Sequence, residues 1–255
     1  MDATAGLIAT FYHLSELARE RLKSGVDGVR YDDKGAGEFD PVTSIDRDIE
    51  RMMRQHLLDA YPDHGIWGEE AGWSNEGARW HWSIDPIDGT RALICGLPTW
   101  CTLVGLLDEG RHVAGMIDCP SLGELLIAAE GQTLRDGRPV TTSDCASLAR
   151  ARLATTDPFL LSGGDASAFE ALRNEVLLTR YGLDALAYAR VATGGLDLVV
   201  ETGLKRHDLD ALVAVIRGAG GAIGDWTGGE DWDGGRIIAA ATRALYDEAV
   251  ARLAS

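Results

Sequence analysis

The chain has 255 residues, of which 45% are hydrophobic, so it is long enough to bury a substantial core. Forty acidic residues against 24 basic ones give a net charge of -16, which repels phosphate backbones and anionic lipid headgroups. Composition therefore disfavours nucleic-acid and membrane partners. Apolar stretches fall short of the roughly 20 residues of a membrane span, and the acidic, amphipathic N-terminus predicts a cytoplasmic protein.

Cysteine and histidine spacing argues against a zinc site. The four cysteines form no CxxC pair and the six histidines form no HxxxH pair, so neither zinc spacing nor a disulfide framework is visible. We expect free, mostly buried thiols.

Hydrophobic periodicity predicts helices first, then a sheet, then alternating elements. Two helices are predicted at 1–22 and 44–62, and the second stops at Pro62. A period of two predicts a strand at 79–85, followed by a strand meander through 99–118 and 124–130. Beyond Ser147, strands are predicted at 152–156, 196–201 and 236–241, and helices at 169–177, 185–195, 208–221 and 244–254.

This alternation favours a layered α/β body. The segment "TTSDCASLAR", residues 141–150, is polar enough to be a connection. We therefore expect one compact unit with an N-terminal α+β part (1–146) and a C-terminal α/β part (147–255).

The stretch "SIDPIDGTRALICG" places Asp85 and Asp88 around a proline and immediately before Gly89 and Thr90. Two uncompensated carboxylates so close together repel each other, which makes a cation the natural third party. Oxygen ligands without cysteine or histidine indicate Mg2+, with Mn2+ as an alternative. An Asp-Pro turn capped by Asp88 explains a bare D-P-x-D equally well.

Three further acidic points add candidates. Glu69 and Glu70 lie in a glycine-bracketed loop, which a solvated acidic loop explains equally well. Asp46 and Asp208 each lie at a predicted helix start, where capping is the simpler interpretation of either residue alone.

Taken together, these segments resemble the inositol monophosphatase-like family of Mg2+-dependent phosphatases across nearly the whole chain. The family motif D-P-[ILV]-D-G-T is complete at 85–90, and the expected G-E-E precedes it at 68–70. The resemblance implies an αβαβα layered fold, usually as a homodimer, and hydrolysis of a small phosphate monoester without a covalent enzyme intermediate.

The resemblance also implies roles for individual residues. Two or three Mg2+ ions would be held by Glu69, Asp85, the Ile87 carbonyl, Asp88 and Asp208. Gly89 and Thr90 would hold the phosphate. Glu69 and a Thr90–Asp46 pair would orient the attacking water.

The second family motif differs from the common W-D-x-A-A form, because this chain has His207 before Asp208 and Asp210 where alanine is common. The surrounding sequence looks most like the histidinol-phosphatase branch, whose members tend to read G-L-K-P-Y-D. Here Arg206 and His207 replace the Pro-Tyr pair.

Glu201 occupies the position at which the family contacts the alcohol portion of the substrate, and Asp197 is predicted to lie close by in the same strand. A strand-end carboxylate on the surface is the alternative for Glu201. Lys34 lies in a glycine-flanked segment that is either a mobile flap over a further metal or a plain surface loop.

Three functions follow as hypotheses. The first is hydrolysis of L-histidinol phosphate in histidine biosynthesis, because the ammonium and imidazole groups of that substrate suit an acidic cleft. The second is hydrolysis of inositol 1-phosphate or another small sugar phosphate. The third is a catalytically silent binding or regulatory protein, which predicts damaged metal carboxylates, whereas Glu69, Asp85, Asp88 and Asp208 are all present.

Overall fold

The computed structural model describes residues 3–23, 25, 31–33 and 41–254. The helices are α1 (Ala3–Lys23), α2 (Ser44–Ala60), α3 (Thr90–Ile94), α4 (Gly163–Arg173), α5 (Ala185–Ala192), α6 (Arg206–Gly218) and α7 (Arg243–Leu253). The strands are β1 (Tyr31–Asp33), β2 (Pro41–Thr43), β3 (Gly65–Gly68), β4 (Gly72–Ser74), β5 (Trp80–Asp88), β6 (Cys101–Asp108), β7 (Arg111–Cys119), β8 (Glu124–Ala129), β9 (Gln132–Arg135), β10 (Arg138–Pro139), β11 (Arg152–Thr155), β12 (Leu178–Tyr181), β13 (Leu198–Glu201), β14 (Ala222–Asp225) and β15 (Ile237–Ala240).

Two sheets form the body of the molecule. The larger has eight strands in the order β10-β9-β8-β7-β6-β5-β3-β4, and the smaller has five in the order β12-β11-β13-β15-β14. Strands β5 to β9 form the predicted antiparallel meander, and β3 joins β5 in parallel. In the smaller sheet β11 is parallel to β12 and β13, while β15 is antiparallel to its neighbours.

The buried residues divide the molecule into layers. One hydrophobic cluster joins α1 and α2 to the outer face of the larger sheet, as in the pair Phe11 and Trp82. A second cluster places α5 and α6 between the two sheets, and a third packs α4 and α7 on the far face of the smaller sheet. The order is therefore α, β, α, β, α, which confirms the predicted fold class.

Glycines let α6 lie directly on the larger sheet. Gly105 in β6 and Gly115 in β7 are cross-strand partners. A Cβ on Gly105 would lie 2.8 Å from the carbonyl carbon of Asp210, and one on Gly115 would lie 2.6 Å from the carbonyl oxygen of Ala211. Any side chain at these positions would push the helix away, and α6 carries Asp208 in its first turn.

The predicted boundary segment, residues 141–150, connects β10 of the larger sheet to β11 of the smaller one. The division into 1–146 and 147–255 stays a prediction. Within the described ranges, no helix has both the length and the apolar character needed to cross a bilayer.

Candidate active site

The motif at 85–90 forms an irregular end of the central strand β5. The strand does not end at Asp85, as the sequence predicted, but runs through Pro86 to Asp88 with a break in its pairing to β6 between the two aspartates. The Thr102 hydroxyl donates to the Pro86 carbonyl at 2.8 Å and compensates for part of the lost pairing. Gly89, at φ 87°, then turns the chain into α3, a conformation that favours glycine.

Three carboxylates meet at this strand end. Oxygens of Asp85, Asp88 and Asp208 all lie within 4.8 Å of one another. Burial and mutual repulsion raise the pKa of Asp85 and of Asp88 well above the usual range, and burial also raises the pKa of Asp208. The structure thus brings Asp208 next to Asp85 and Asp88, although it lies 120 or more positions after them in the sequence.

Backbone amides and a histidine fix the orientation of these carboxylates. The Ala185 amide donates to Asp88 Oδ2 at 2.6 Å, and the Lys205 amide donates to Asp208 Oδ2 at 2.7 Å. His207 Nε2 lies 3.2 Å from Asp208 Oδ1, and the imidazole packs edge-on against Trp67 with ring centroids 5.7 Å apart. Asp208 is therefore held on both oxygens.

These residues fit a divalent cation. Asp85 is buried, and its Oδ1 has no hydrogen-bond partner within the described part of the chain, although buried carboxylate oxygens are normally satisfied. Three hard, anionic oxygen donors in one small volume are the ligand type that Mg2+ and Ca2+ take. A bound cation would both satisfy Asp85 and remove the repulsion within the cluster.

Glu69 faces the cluster from the loop after β3. Its amide donates to the Ile84 carbonyl at 3.1 Å, and the charge of its carboxylate contributes to the raised pKa of Asp85, Asp88 and Asp208. Glu69 is outside the group of oxygens within 4.8 Å, so the structure places it beside the three aspartates, not among them.

Glu50, which the sequence analysis missed, holds this loop. Its buried carboxylate accepts from the amides of Glu70 at 2.7 Å and Ala71 at 3.0 Å, and pairs with Arg54 at 2.6 Å. A Cβ on Gly68 would lie 2.2 Å from Glu50 Oε1, so the glycine of G-E-E makes room for that carboxylate. One signal was present, since Glu50 lies one helical turn after Asp46 on the buried side of α2.

Thr90 and Asp46 meet as predicted. The Thr90 hydroxyl lies 3.0 Å from the Ile87 carbonyl and 3.4 Å from Asp46 Oδ1, so it can donate to either acceptor. Asp46 also accepts from the Thr43 amide at 3.0 Å as part of a capping box, and separately from the Thr43 hydroxyl. Burial raises the pKa of Asp46.

A cleft of about 130 Å³ opens beside Asp88 and Asp208. Asp184, Tyr188 and Glu201 also line it, so the cleft is rich in acidic groups. Burial raises the pKa of Asp184 to about 6 and that of Glu201 to about 7. Glu201 is anchored by the Thr156 amide at 2.7 Å and the Thr156 hydroxyl at 2.9 Å.

Asp184 and Tyr188 were also missed by the sequence analysis. Asp184 precedes the apolar helix α5 and so resembles an N-cap, but its side chain makes no capping hydrogen bond and its φ is 47°. The Tyr188 hydroxyl is buried and has no hydrogen-bond partner among the residues described. An Asp at a helix start and a single Tyr in an apolar helix give no sequence signal, because only the tertiary structure brings them to the cleft.

Asp197 does not lie with this group. It precedes β13, whereas Glu201 ends that strand, and four residues of extended chain span about 13 Å. Both Asp197 oxygens bind Arg152, at 2.7 Å each, which lowers the pKa of the carboxyl despite its burial. The predicted substrate contact by Asp197 is therefore corrected to a structural ion pair. Lys34, the predicted flap residue, lies outside the described residues.

Comparison with known proteins agrees with this geometry. The model of the inositol monophosphatase family matches residues 3–255. The bifunctional phosphatase IMPL2 of Arabidopsis thaliana, a chloroplastic protein, is 42% identical over 216 residues, which cover 84% of this chain and 61% of that protein. The histidinol-phosphatase of Mycobacterium tuberculosis is 34% identical over 243 residues, which cover 91% of both chains.

Among solved structures, an inositol monophosphatase from Zymomonas mobilis superposes with a TM-score of 0.88 at 32% sequence identity and covers 100% of both chains. The family match spans almost all of the chain. The fold has the predicted layers, and Asp85, Asp88 and Asp208 lie together with the G-E-E loop beside them. The chain therefore belongs to the inositol monophosphatase family of phosphatases.

Proposed function

We propose that the protein hydrolyses the phosphate monoester of a small amino alcohol, and that its substrate is L-histidinol phosphate, which yields L-histidinol and phosphate in histidine biosynthesis. The proposal rests mainly on the acidic lining of the cleft beside Asp88 and Asp208. The similarity to a histidinol-phosphatase at 34% identity supports it.

The lining of this cleft suits a cationic alcohol. Asp184 and Glu201 place two carboxyl groups there, and no lysine, arginine or histidine lines the cleft in the part of the chain that the structure describes. A neutral polyol would gain only hydrogen bonds from this lining, whereas an ammonium or imidazolium group would also compensate buried negative charge. The buried Tyr188 hydroxyl is a further hydrogen-bonding group for the same portion of the substrate.

The chain's own residues divide the chemistry between them. Asp85, Asp88 and Asp208, with Glu69 and the Ile87 carbonyl, would hold Mg2+, two or three ions in all, with Mn2+ as an alternative. Gly89 and Thr90 would hold the phosphate, since Gly89 starts α3 without a side-chain cap and Thr90 adds a hydroxyl. When bound, the metal would supply Lewis acidity toward the phosphate and activation of water.

The Thr90–Asp46 pair would orient the attacking water. Because the Thr90 hydroxyl can donate to Asp46, its oxygen lone pair is free to accept from a water, and Asp46 can take up the proton density. Glu69, whose charge also raises the pKa of Asp46, would accept from the same water. The direct attack of water needs no covalent enzyme intermediate.

Inositol 1-phosphate or another small sugar phosphate is the second candidate. It is favoured by the close structural similarity to an inositol monophosphatase, at 32% identity over the full length. The metal carboxylates would serve both substrates alike. The two candidates therefore differ in how the alcohol portion of the substrate would contact Asp184, Tyr188 and Glu201.

The test compares kcat/KM for L-histidinol phosphate and inositol 1-phosphate in wild type and Asp184→Asn. Removing one cleft carboxylate should lower kcat/KM for histidinol phosphate by about tenfold to a hundredfold, the usual effect of a close buried charge pair, and leave inositol phosphate nearly unchanged. Asp197→Asn is the matched control, because it changes a carboxylate outside the cleft.

Using the ratio of the two substrates makes the result independent of the amount of folded enzyme. Equal losses on both substrates would refute the role of Asp184 in selection. Wild-type preference for inositol phosphate would overturn the substrate proposal, and silence on both esters with metal bound would favour a non-catalytic binding or regulatory protein.

We further propose that the protein forms a homodimer through the edge of the smaller sheet. Strand β12 is an edge strand, and Leu177, Leu178 and Tyr181 on or beside it are 64%, 43% and 41% exposed. Leu178→Glu should convert the dimer to a monomer in sedimentation velocity; an unchanged dimer would place the interface elsewhere. The cytoplasmic location and the absence of a nucleic-acid partner stay predictions from charge and sequence.

A further inference from the structure

A second cavity, of about 410 Å³, lies on the other side of α6 from the catalytic cleft: Arg206 and Asp210 line the cavity, whereas Asp208 and Leu212 line the cleft. A row of cross-strand neighbours runs over this face of the larger sheet from Trp73 through Trp67 and Ser83 to Gly105. Helix α6 covers the glycine end of that row. Its N-terminal residue, Arg206, leaves the tryptophan end uncovered, and the cavity lies there.

The wall of the cavity is aromatic. The indole rings of Trp67 and Trp73 stack with centroids 5.3 Å apart and planes within 6°, and the imidazole of His81 meets Trp73 edge-on at 5.3 Å. Trp73 remains 44% exposed. Flat aromatic surfaces held rigidly and left open to solvent are typical of sites that bind another planar ring.

A buried polar group independently indicates a ligand. Ser83 lines the cavity at 2% exposure, and its hydroxyl has no hydrogen-bond partner anywhere in the described ranges. Native proteins leave few buried hydroxyls unsatisfied, because the desolvation is not repaid without a partner. A ring nitrogen or other polar atom of a bound molecule would satisfy it.

The rim carries charges of both signs. Arg206 Nη1 lies 3.7 Å from Asp233 Oδ1, and Asp233 is 82% exposed on its side chain, while Arg206 also pairs with the buried Asp210. Glu109 also lines the cavity, so its acidic groups outnumber Arg206 and a purely anionic ligand would be repelled. A zwitterion can offer its ammonium to these acidic groups and its carboxylate to Arg206.

We propose that this cavity binds a zwitterionic α-amino acid with a planar aromatic or heteroaromatic side chain, and that the bound amino acid modulates the metal site. The ring stacks on Trp67 and Trp73, the carboxylate meets Arg206, and the ammonium meets Asp233. The proposal does not depend on which phosphate ester the enzyme hydrolyses.

Two short covalent paths connect the cavity to the metal carboxylates. Trp67 is two residues before Glu69, and Arg206 is two residues before Asp208. His207, between them in space, contacts both the Trp67 ring and Asp208. A ligand wedged between Trp67 and Arg206 therefore contacts both of the segments that deliver those two carboxylates.

The test is isothermal titration calorimetry on the full chain with Mg2+ and inorganic phosphate present, so that the catalytic cleft is occupied. L-tryptophan and L-histidine are the probes, while tryptamine, which lacks the carboxylate, and indole-3-propionate, which lacks the ammonium, are the matched analogues. We expect saturable one-site binding of at least one amino acid, and binding weaker by about tenfold for the analogues of L-tryptophan, because each loses one charge contact.

Variants locate the binding site. Trp73→Ala should weaken binding by about tenfold or more, and Tyr12→Ala, which removes a partly exposed aromatic ring elsewhere, should not. Asp233→Asn is the second variant, because so exposed a side chain can change without affecting folding; it should weaken L-tryptophan but not indole-3-propionate.

Absence of saturable binding, or binding unchanged in both Trp73→Ala and Asp233→Asn, would overturn the site. The modulating role is read from the Mg2+ concentration that gives half-maximal turnover. We expect that concentration to shift when the amino acid is present in wild type and to stay constant in Trp73→Ala, and binding without any shift would overturn the regulatory part.

Discussion

Replacing Asp88 by Asn should stabilise the metal-free protein while it abolishes phosphate release. Three carboxylates crowd this strand end, and Asn keeps the shape and the acceptor for the Ala185 amide at 2.6 Å. The substitution therefore removes charge with little change in packing. A gain in stability from the loss of a functional residue is the expected signature of a site built for a cation.

The magnitude follows from the distances. Two unit charges 4.8 Å apart repel by about 3.5 kcal/mol at an effective dielectric constant of about 20, and Asp88 has two such neighbours. The pKa values of Asp85 and Asp88 are raised, so protonation relieves part of this repulsion. A change of one pH unit in a pKa corresponds to about 1.4 kcal/mol. We therefore expect Asp88→Asn to raise the free energy of unfolding by about 1 to 3 kcal/mol at pH 8 in a chelator.

The assay is urea unfolding, with and without Mg2+. Ligand binding to the folded state should add about 2.7 kcal/mol to wild type at a hundredfold excess over the dissociation constant, and much less to the variant, so that the order of stability reverses. Asp118→Asn is the matched control. Asp118 is a buried carboxylate paired with Arg19 at 2.6 Å, so this substitution should destabilise the protein. A metal-free Asp88→Asn protein less stable than wild type would refute the repulsion argument.

Three further predictions follow from the same contacts. The metal-free protein should lose stability in thermal unfolding as the pH rises from about 4 through 7, because the folded protein holds protons on Asp184 and Glu201, whose pKa values are raised to about 6 and about 7, and loses them on that rise. The raised pKa values of Asp85, Asp88 and Asp208 add to this loss, and Mg2+ bound to those three carboxylates should reduce their share of it. Stability that increases over this range without metal would contradict the prediction. Glu50→Gln should lower the free energy of unfolding by about 3 kcal/mol, since it leaves Arg54 unpaired, and should weaken Mg2+ binding in a calorimetric titration; unchanged metal affinity would show that the loop does not need this anchor. Thr90→Val should lower kcat by about a hundredfold with KM little changed, whereas Thr90→Ser should keep most of the rate, and equal losses in both variants would remove the hydroxyl from the chemistry.

The sequence predicted those parts of the site that are local in the chain. Asp85, Asp88 and Thr90 belong to one short motif, and the helix starts that carry Asp46 and Asp208 follow from capping positions and apolar periodicity. The fold class followed from the change of period along the chain, from helical to strand and then to alternation. Family resemblance joined these local pieces into one site, which spacing alone does not do.

The sequence could not predict that Asp184, Tyr188 and Glu201 line the same cleft, because their closeness depends on how separate layers pack. Asp184 faces Glu201 only because α5 packs between the two sheets. The predicted closeness of Asp197 to Glu201 was wrong because four residues of extended strand separate them. Asp197 lies about 13 Å from Glu201 and pairs with Arg152. Neighbouring positions in a strand indicate a shared face, and they do not indicate a shared end.

The first turn of α6 gives a physical reason why the catalytic cleft and the aromatic cavity should communicate. Asp208 points to the metal cluster, and Arg206 borders the cavity. The same turn is anchored underneath by Asp210, which pairs with His112 at 2.8 Å with both side chains 2% exposed, and by the glycine contacts of the sheet. Because the helix is held there, a ligand at Arg206 cannot simply displace it as a whole. We expect its effect to pass through His207, whose ring contacts both Trp67 and the Asp208 carboxylate. The position of one proposed metal carboxylate depends on that contact.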